Sequence, residues 1–197
     1  MEAVCPTSGK GVNRVLDSFV SCEHGVVDSP DQEILKRINS VIDAKIKVYK
    51  DIYIPSGLVK SDGYLVIAVN TFLLGPFSQH GISGFPSVLS AVYPVGPGTV
   101  EINIASGKFL DRGLKYQPAI FKVNGASIRT DLFSRDNGTI IDAIMTGHVH
   151  LYQNSTERKL LAIHNHYSKN ELKYRLPVDC NYWLERNNAM TLSIKKG

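Results

Sequence analysis

Short runs in which apolar residues recur at every second position, separated by turn-forming residues, fill most of the chain from Val100 to Ile194, and a backbone so patterned folds as β-strands. Val100, Ile102 and Ile104 alternate with Glu101 and Asn103. Ala119 to Val123 meets Ala126 to Phe133 through Asn124-Gly125, a pair that favours the positive backbone angles of a tight hairpin. A second Asn-Gly pair, Asn137-Gly138, opens a strand from Thr139 to Tyr152, with a bulge expected at Gly147. Lys159 to Tyr167, Leu172 to Leu176, Cys180 to Leu184 and Ala189 to Ile194 follow, the last two joined at Asn187-Asn188.

The amino-terminal half adds one clear helix. Ser29 offers a cap, Pro30 suits the first helical position and Gln32 completes a capping box, after which Ile34, Leu35, Ile38, Val41, Ile42 and Ile46 recur at helical spacing. That pattern turns Lys36, Arg37, Asp43 and Lys45 toward water. From Ile46 the period changes to two, predicting a half-buried strand that ends at Pro55, and Tyr64 to Leu74 reads as a strand buried on both faces. Between Gly75 and Gly98 lies a Gly-, Pro- and Ser-rich connection with room for a short helix from Ser87. About eight to ten strands with one helix near residues 30–46 define a mainly β, α+β fold: an antiparallel sheet, a sandwich or a partly open barrel. Residues 1–28 read as an arm and 29–197 as one globular domain.

With 43% hydrophobic and 20% charged residues the chain has globular composition, and 22 Lys and Arg against 18 Asp and Glu leave it mildly basic. Three cysteines with no CxxC spacing argue against a disulfide framework or a zinc ribbon and fit a reducing, cytoplasmic setting. The first residues carry no secretory pattern, and no apolar run reaches the roughly 20 residues of a spanning helix.

Two constellations could carry chemistry. His148 and His150, and His164 and His166, are each spaced i, i+2, so each pair shares a face of its strand, and a hairpin through residues 154–158 brings the pairs together. Three or four imidazoles suit zinc or another divalent metal, and the pattern resembles the HxH element of cupins, although Glu157 falls in the turn. The same histidines also fit a solvent-facing strand pair, or a pH-sensitive cluster. The second constellation is a basic rim of Arg158, Lys159, Lys173, Arg175, Lys195 and Lys196, interleaved with Tyr167 and Tyr174 and suited to phosphate contact. Gly9-Lys10-Gly11 is glycine-rich like a phosphate loop but lacks the Walker spacing. There is no GxSxG, HExxH or GxGxxG motif and no Cys-His pair with a reason to be close, so the sequence favours a non-enzymatic role without cofactor or small-molecule substrate.

An arm, an amphipathic helix, a strand-rich body, an apolar Gly/Pro loop and mild basicity together resemble the outline of the small matrix proteins of negative-strand RNA viruses, such as those of rhabdoviruses. The likeness rests on outline rather than motif; the arm is not strongly basic, and Pro6-Thr7-Ser8-Gly9 matches a late-domain sequence only in part. It implies a homo-oligomer that contacts anionic lipid or a ribonucleoprotein, with Phe77, Ile82, Phe85 and Val88 of the Gly/Pro loop as self-association residues. A nucleic-acid-binding movement or coat protein and a metal-dependent β-barrel enzyme using His148, His150, His164 and His166 are the alternatives.

Overall fold

The computed structural model describes residues 2–11, 14–15, 30–60, 63–79, 81, 84–134, 138–150, 160–168, 170, 176, 178–187 and 189–196. The chain is mainly β with one long helix. Its elements run β1 (Glu2–Val4), α1 (Asp31–Val48), β2 (Val66–Asn70), α2 (Ser87–Val92), β3 (Val95–Ile102), β4 (Phe109–Tyr116), β5 (Ala119–Phe121), β6 (Ser127–Arg129), β7 (Ala143–Gly147), β8 (Leu160–His164), β9 (Cys180–Asn187) and β10 (Ala189–Lys196).

Six strands form the main sheet in the order β1-β2-β7-β8-β9-β10. It is mixed rather than wholly antiparallel: β1, β2 and β7 run parallel, β8 and β9 run parallel, and β7–β8 and β9–β10 are antiparallel. The parallel pairs follow from connections long enough to return the chain to the same end, α1 being the crossover between β1 and β2. β3–β4 and β5–β6 are two separate two-stranded ribbons, and among the described residues no barrel closes.

α1 buries most of the face its sequence predicts, but Lys36, expected to point to water, is buried, and Val41, expected on the apolar face, is only partly so. Ile34, Leu35, Ile38, Ile42 and Ile46 join Ile67, Val69, Ile144 and Ile163 of the sheet and Val88, Leu89, Val92, Tyr93 and Phe133 in one core. Each such isoleucine contributes roughly 1.5–3 kcal/mol by leaving water. Pro30 precedes the first turn, its carbonyl accepting from the Ile34 N–H at 2.9 Å, whereas Ser29 lies outside the described residues. Val15, 3% exposed, lies in the same core cluster.

The expected strand from Ile46 to Ile54 is instead a continuation of the helix. After Val48 the backbone widens into a π turn over Tyr49–Tyr53, with the Ile54 N–H donating to the Tyr49 carbonyl at 3.0 Å, an i→i+5 bond. Both periods fit these residues. The helical one prevails because it buries Tyr49 beneath Ile46 and sets the Tyr53 ring edge-on against it, centroids 5.4 Å apart, leaving Ile52 exposed. The expected strand Tyr64–Leu74 shortens to β2 and gives way to a 3-10 turn at Phe72–Leu74. The expected strand Thr139–Tyr152 shortens to β7.

Side chains extend the β2–β7 pairing beyond the strand ends. Below it, Asp142 accepts from the Leu65 N–H through its carboxylate at 2.6 Å, while its own N–H donates to the Leu65 carbonyl at 2.9 Å. Above it, the Asn70 amide donates to the Val149 carbonyl at 2.8 Å and accepts from the Val149 N–H at 3.1 Å.

Candidate functional site: a basic cleft on α1

A cleft of about 610 Å³ opens where α1, the loop around Lys10 and the β5–β6 hairpin meet, with Lys10, Lys36, Arg37, Lys122 and Arg129 among its walls. Each wall is fixed by a separate local device. The loop of residues 8–15 is closed by the Val15 N–H on the Ser8 carbonyl at 3.0 Å and anchored by Val15, so Lys10 projects from its tip. Gly9 adopts φ 78°, a backbone angle that residues with a Cβ rarely take, so glycine lets the loop turn here beside the Arg37 guanidinium.

The opposite wall is the β5–β6 hairpin at the Asn124-Gly125 turn that the sequence predicts. Gly125 takes φ 81°, and the Lys122 N–H donates to the Ala126 carbonyl at 2.8 Å. Ile120 is buried, and the Thr130 N–H donates to the Pro118 carbonyl at 2.9 Å, tying the hairpin base to the body. Asn39 joins this wall to the helix. Buried on α1, it donates to the Arg129 carbonyl at 2.6 Å and to the Ala91 carbonyl of α2 at 3.2 Å.

The charges of the cleft are partly compensated within it. Lys36, only 7% exposed, pairs with Glu33 at 3.1 Å, and Arg129 grips Asp131 through both Nε, at 2.9 Å, and Nη2. That carboxylate holds the Arg129 guanidinium above its ordinary value, first through the hydrogen bonds and then through its charge. Asp43 pairs with Lys47 at 2.9 Å. The lining thus carries Lys10, Lys36, Arg37, Lys122 and Arg129 against Asp43, with Glu33 and Asp131 paired to Lys36 and Arg129, five cations against three carboxylates. A concave wall keeps field lines inside the cleft and raises the local concentration of anions.

Most of the basic rim expected from sequence lies outside the described residues. Arg158, Lys159, Lys173 and Arg175 fall outside the described residues; the backbone of Lys195 and Lys196 belongs to β10, paired with Asn181 and Cys180.

The four histidines are not brought together. The β7–β8 register places His164 opposite Ala143 and Leu160 opposite Gly147, so His148 begins beyond the far end of the pair. Five residues of extended chain separate that end from Ala143, on the order of 16 Å. His148 meets the Phe72 ring edge-on and His150 lies tilted against it, with centroids 5.2 and 4.6 Å away, and His148 Nδ1 lies 3.4 Å from Ser78 Oγ. Burial, and next the charge of His150, lower the His148 pKa. His164 is buried, while His166 is exposed and its N–H donates to the Tyr93 hydroxyl at 3.1 Å. Two imidazoles fall short of the three protein ligands of a catalytic zinc site, and among the described residues no group of three or more His, Cys, Asp or Glu converges as a metal would need.

The expected self-association surface also has a different placement. Val88 is 1% exposed inside α2, Phe77 and Phe85 pack partly buried against the core, and Ile82 lies outside the described residues. The short helix predicted from Ser87 forms, but all six of its residues are buried, which turns the loop's apolar character inward. Among the described residues no helix is long and apolar enough to cross a membrane.

Fold and cleft define a strand-rich protein with a cationic groove, and no family model, curated protein or solved structure matches the chain.

Proposed function

We propose that the chain is a non-catalytic binding protein that holds the phosphate backbone of a single-stranded nucleic acid, as exposed in a ribonucleoprotein, along the cleft of Lys10, Lys36, Arg37, Lys122 and Arg129. The observation that carries this reading is the excess of cations converging on one concavity from three separate segments. Concavity favours a strand over a bilayer, because a flat lipid surface touches only the rim of a groove whereas a chain of phosphates can follow its floor. Lys10 and Lys122 act as exposed point charges and Arg37 adds a planar guanidinium suited to phosphate, while Arg129, whose Nε and Nη2 hold Asp131, adds charge to the wall. The reading keeps the ribonucleoprotein contact implied by the matrix-protein outline and moves it from the expected rim to α1. A cytoplasmic setting belongs to the same proposal.

The test is fluorescence-anisotropy titration of a single-stranded RNA oligonucleotide at several salt concentrations. Each phosphate neutralised contributes a slope of about −0.7 in log K against log salt, so replacing Lys10 and Lys122 together by Ala should flatten the slope by about 1.4 and weaken binding on the order of tenfold near physiological salt. Lys195→Glu with Lys196→Glu serves as the comparison. If only that second pair weakens binding, the cleft is not the interface.

A further inference from the structure

The β3–β4 ribbon has a surface that the cleft does not use. Cross-strand partners share a face, and the register pairs Val95 with Tyr116, Gly98 with Leu114, Val100 with Arg112 and Ile102 with Phe109. Val100, Ile102, Phe109, Leu114 and Tyr116 therefore line one side, whereas Thr99, Glu101, Asp111 and Gly113 line the other. Every residue of β4, and β3 from Gly98 onward, is exposed, with Leu110 beside the irregularity in the pairing and Ile104 98% exposed at the tip. A two-stranded ribbon is at best marginal alone in water and needs a further layer on its apolar face.

We infer that this face packs against the same face of a second copy of the chain, ribbon across ribbon about a two-fold axis. From the fractional exposures, the five apolar side chains offer roughly 600 Å² per copy, and Ile104 with Leu110 bring this to on the order of 900 Å². A stable interface buries about 800 Å² on each partner, so the patch is the size of half a dimer contact. The charge on the ribbon is small: Lys108, Arg112 and Lys115 stand against Glu101 and Asp111, a net of one positive charge, too little to hold the face on an anionic bilayer or to keep two copies apart. Arg112 is the one charge within the face. A crossing ribbon can set an aromatic ring, Phe109 or Tyr116, against its guanidinium, whereas hydrocarbon would leave it desolvated without a partner. This interface is independent of the nucleic-acid reading, since its residues lie outside the cleft.

Sedimentation velocity of the full chain over roughly 1 to 50 μM tests it. The expected result is a concentration-dependent dimer that Ile102→Asp with Phe109→Asp dissociates, raising the dissociation constant at least about 100-fold while the thermal unfolding midpoint of the monomer is kept, because both side chains are exposed there. Lys10→Ala should leave the dimer intact, which separates this proposal from the cleft. A wild-type monomer throughout the range overturns the inference. So does a dimer that ignores the two substitutions, and so does a monomer whose ribbon residues bind vesicles of phosphatidylserine and phosphatidylcholine.

Discussion

Replacing Asn39 by Ala tests how the cleft is held open. The side chain is buried on α1, and its amide nitrogen gives one hydrogen to the Arg129 carbonyl and the other to the Ala91 carbonyl. Removing it leaves two carbonyl oxygens without that donor, at about 1–3 kcal/mol for a buried group left unsatisfied; the better helix propensity of Ala returns a few tenths. The expected loss is about 2 kcal/mol, a shift of roughly thirtyfold toward the unfolded chain and a midpoint about 4–8 °C lower. Urea unfolding followed by circular dichroism measures it. Asn39→Asp sharpens the test, since it keeps the shape but presents oxygen where two carbonyls require a donor, so at neutral pH it should be less stable than Asn39→Ala. An Ala variant within about 0.5 kcal/mol of the wild type, or an Asp variant as stable as the Ala one, would refute the clamp.

Two further outcomes follow from buried polar groups. Tyr93, whose hydroxyl donates to the His164 carbonyl and accepts from the His166 N–H, should on replacement by Phe lose about 1–3 kcal/mol in the same urea assay, because burial leaves no water to take over either bond. Burial raises the Asp142 pKa above the ordinary carboxylate value, against the opposing bonds from Ser168, Leu65 and Asn170, so the stability this group contributes is full below the unfolded carboxylate pKa and is lost as pH rises through the folded one; unfolding measured from acid toward neutral pH should show the wild type losing stability relative to Asp142→Asn, and parallel profiles would contradict this.

Local signals proved legible and pairing signals did not. α1, α2 and the Asn124-Gly125 hairpin are written in spacing and turn chemistry, which act within a few residues. The Ile46–Ile54 segment satisfied two periods at once, and only the core decided between them by burying Tyr49. The histidine pairs depended on the β7–β8 register, which alternation alone cannot set, since a shift by an even number of residues keeps every side chain on its own face. The cleft was hidden for a related reason. Lys36 and Arg37 were visible as polar positions of a helix and Lys10 as part of a glycine-rich loop, but nothing in their spacing brings Lys122 and Arg129, some ninety residues away in the chain, to the same wall. The loop's Gly-Lys-Gly composition was the one available hint, and it pointed to the site without the motif that would have named it.

The side-chain rungs at the two ends of β2 and β7 bear on how this sheet avoids mistakes in pairing. Parallel strands of five residues offer few bonds to distinguish one alignment from the next, and β2 is apolar enough to slide. Asp142 can meet Leu65, and Asn70 can meet Val149, only in the observed alignment. A slip by two residues would preserve the apolar faces and yet strand a carboxylate at one end and an amide at the other. The two residues act as end stops, and they reject the error that hydrophobic patterning by itself would tolerate.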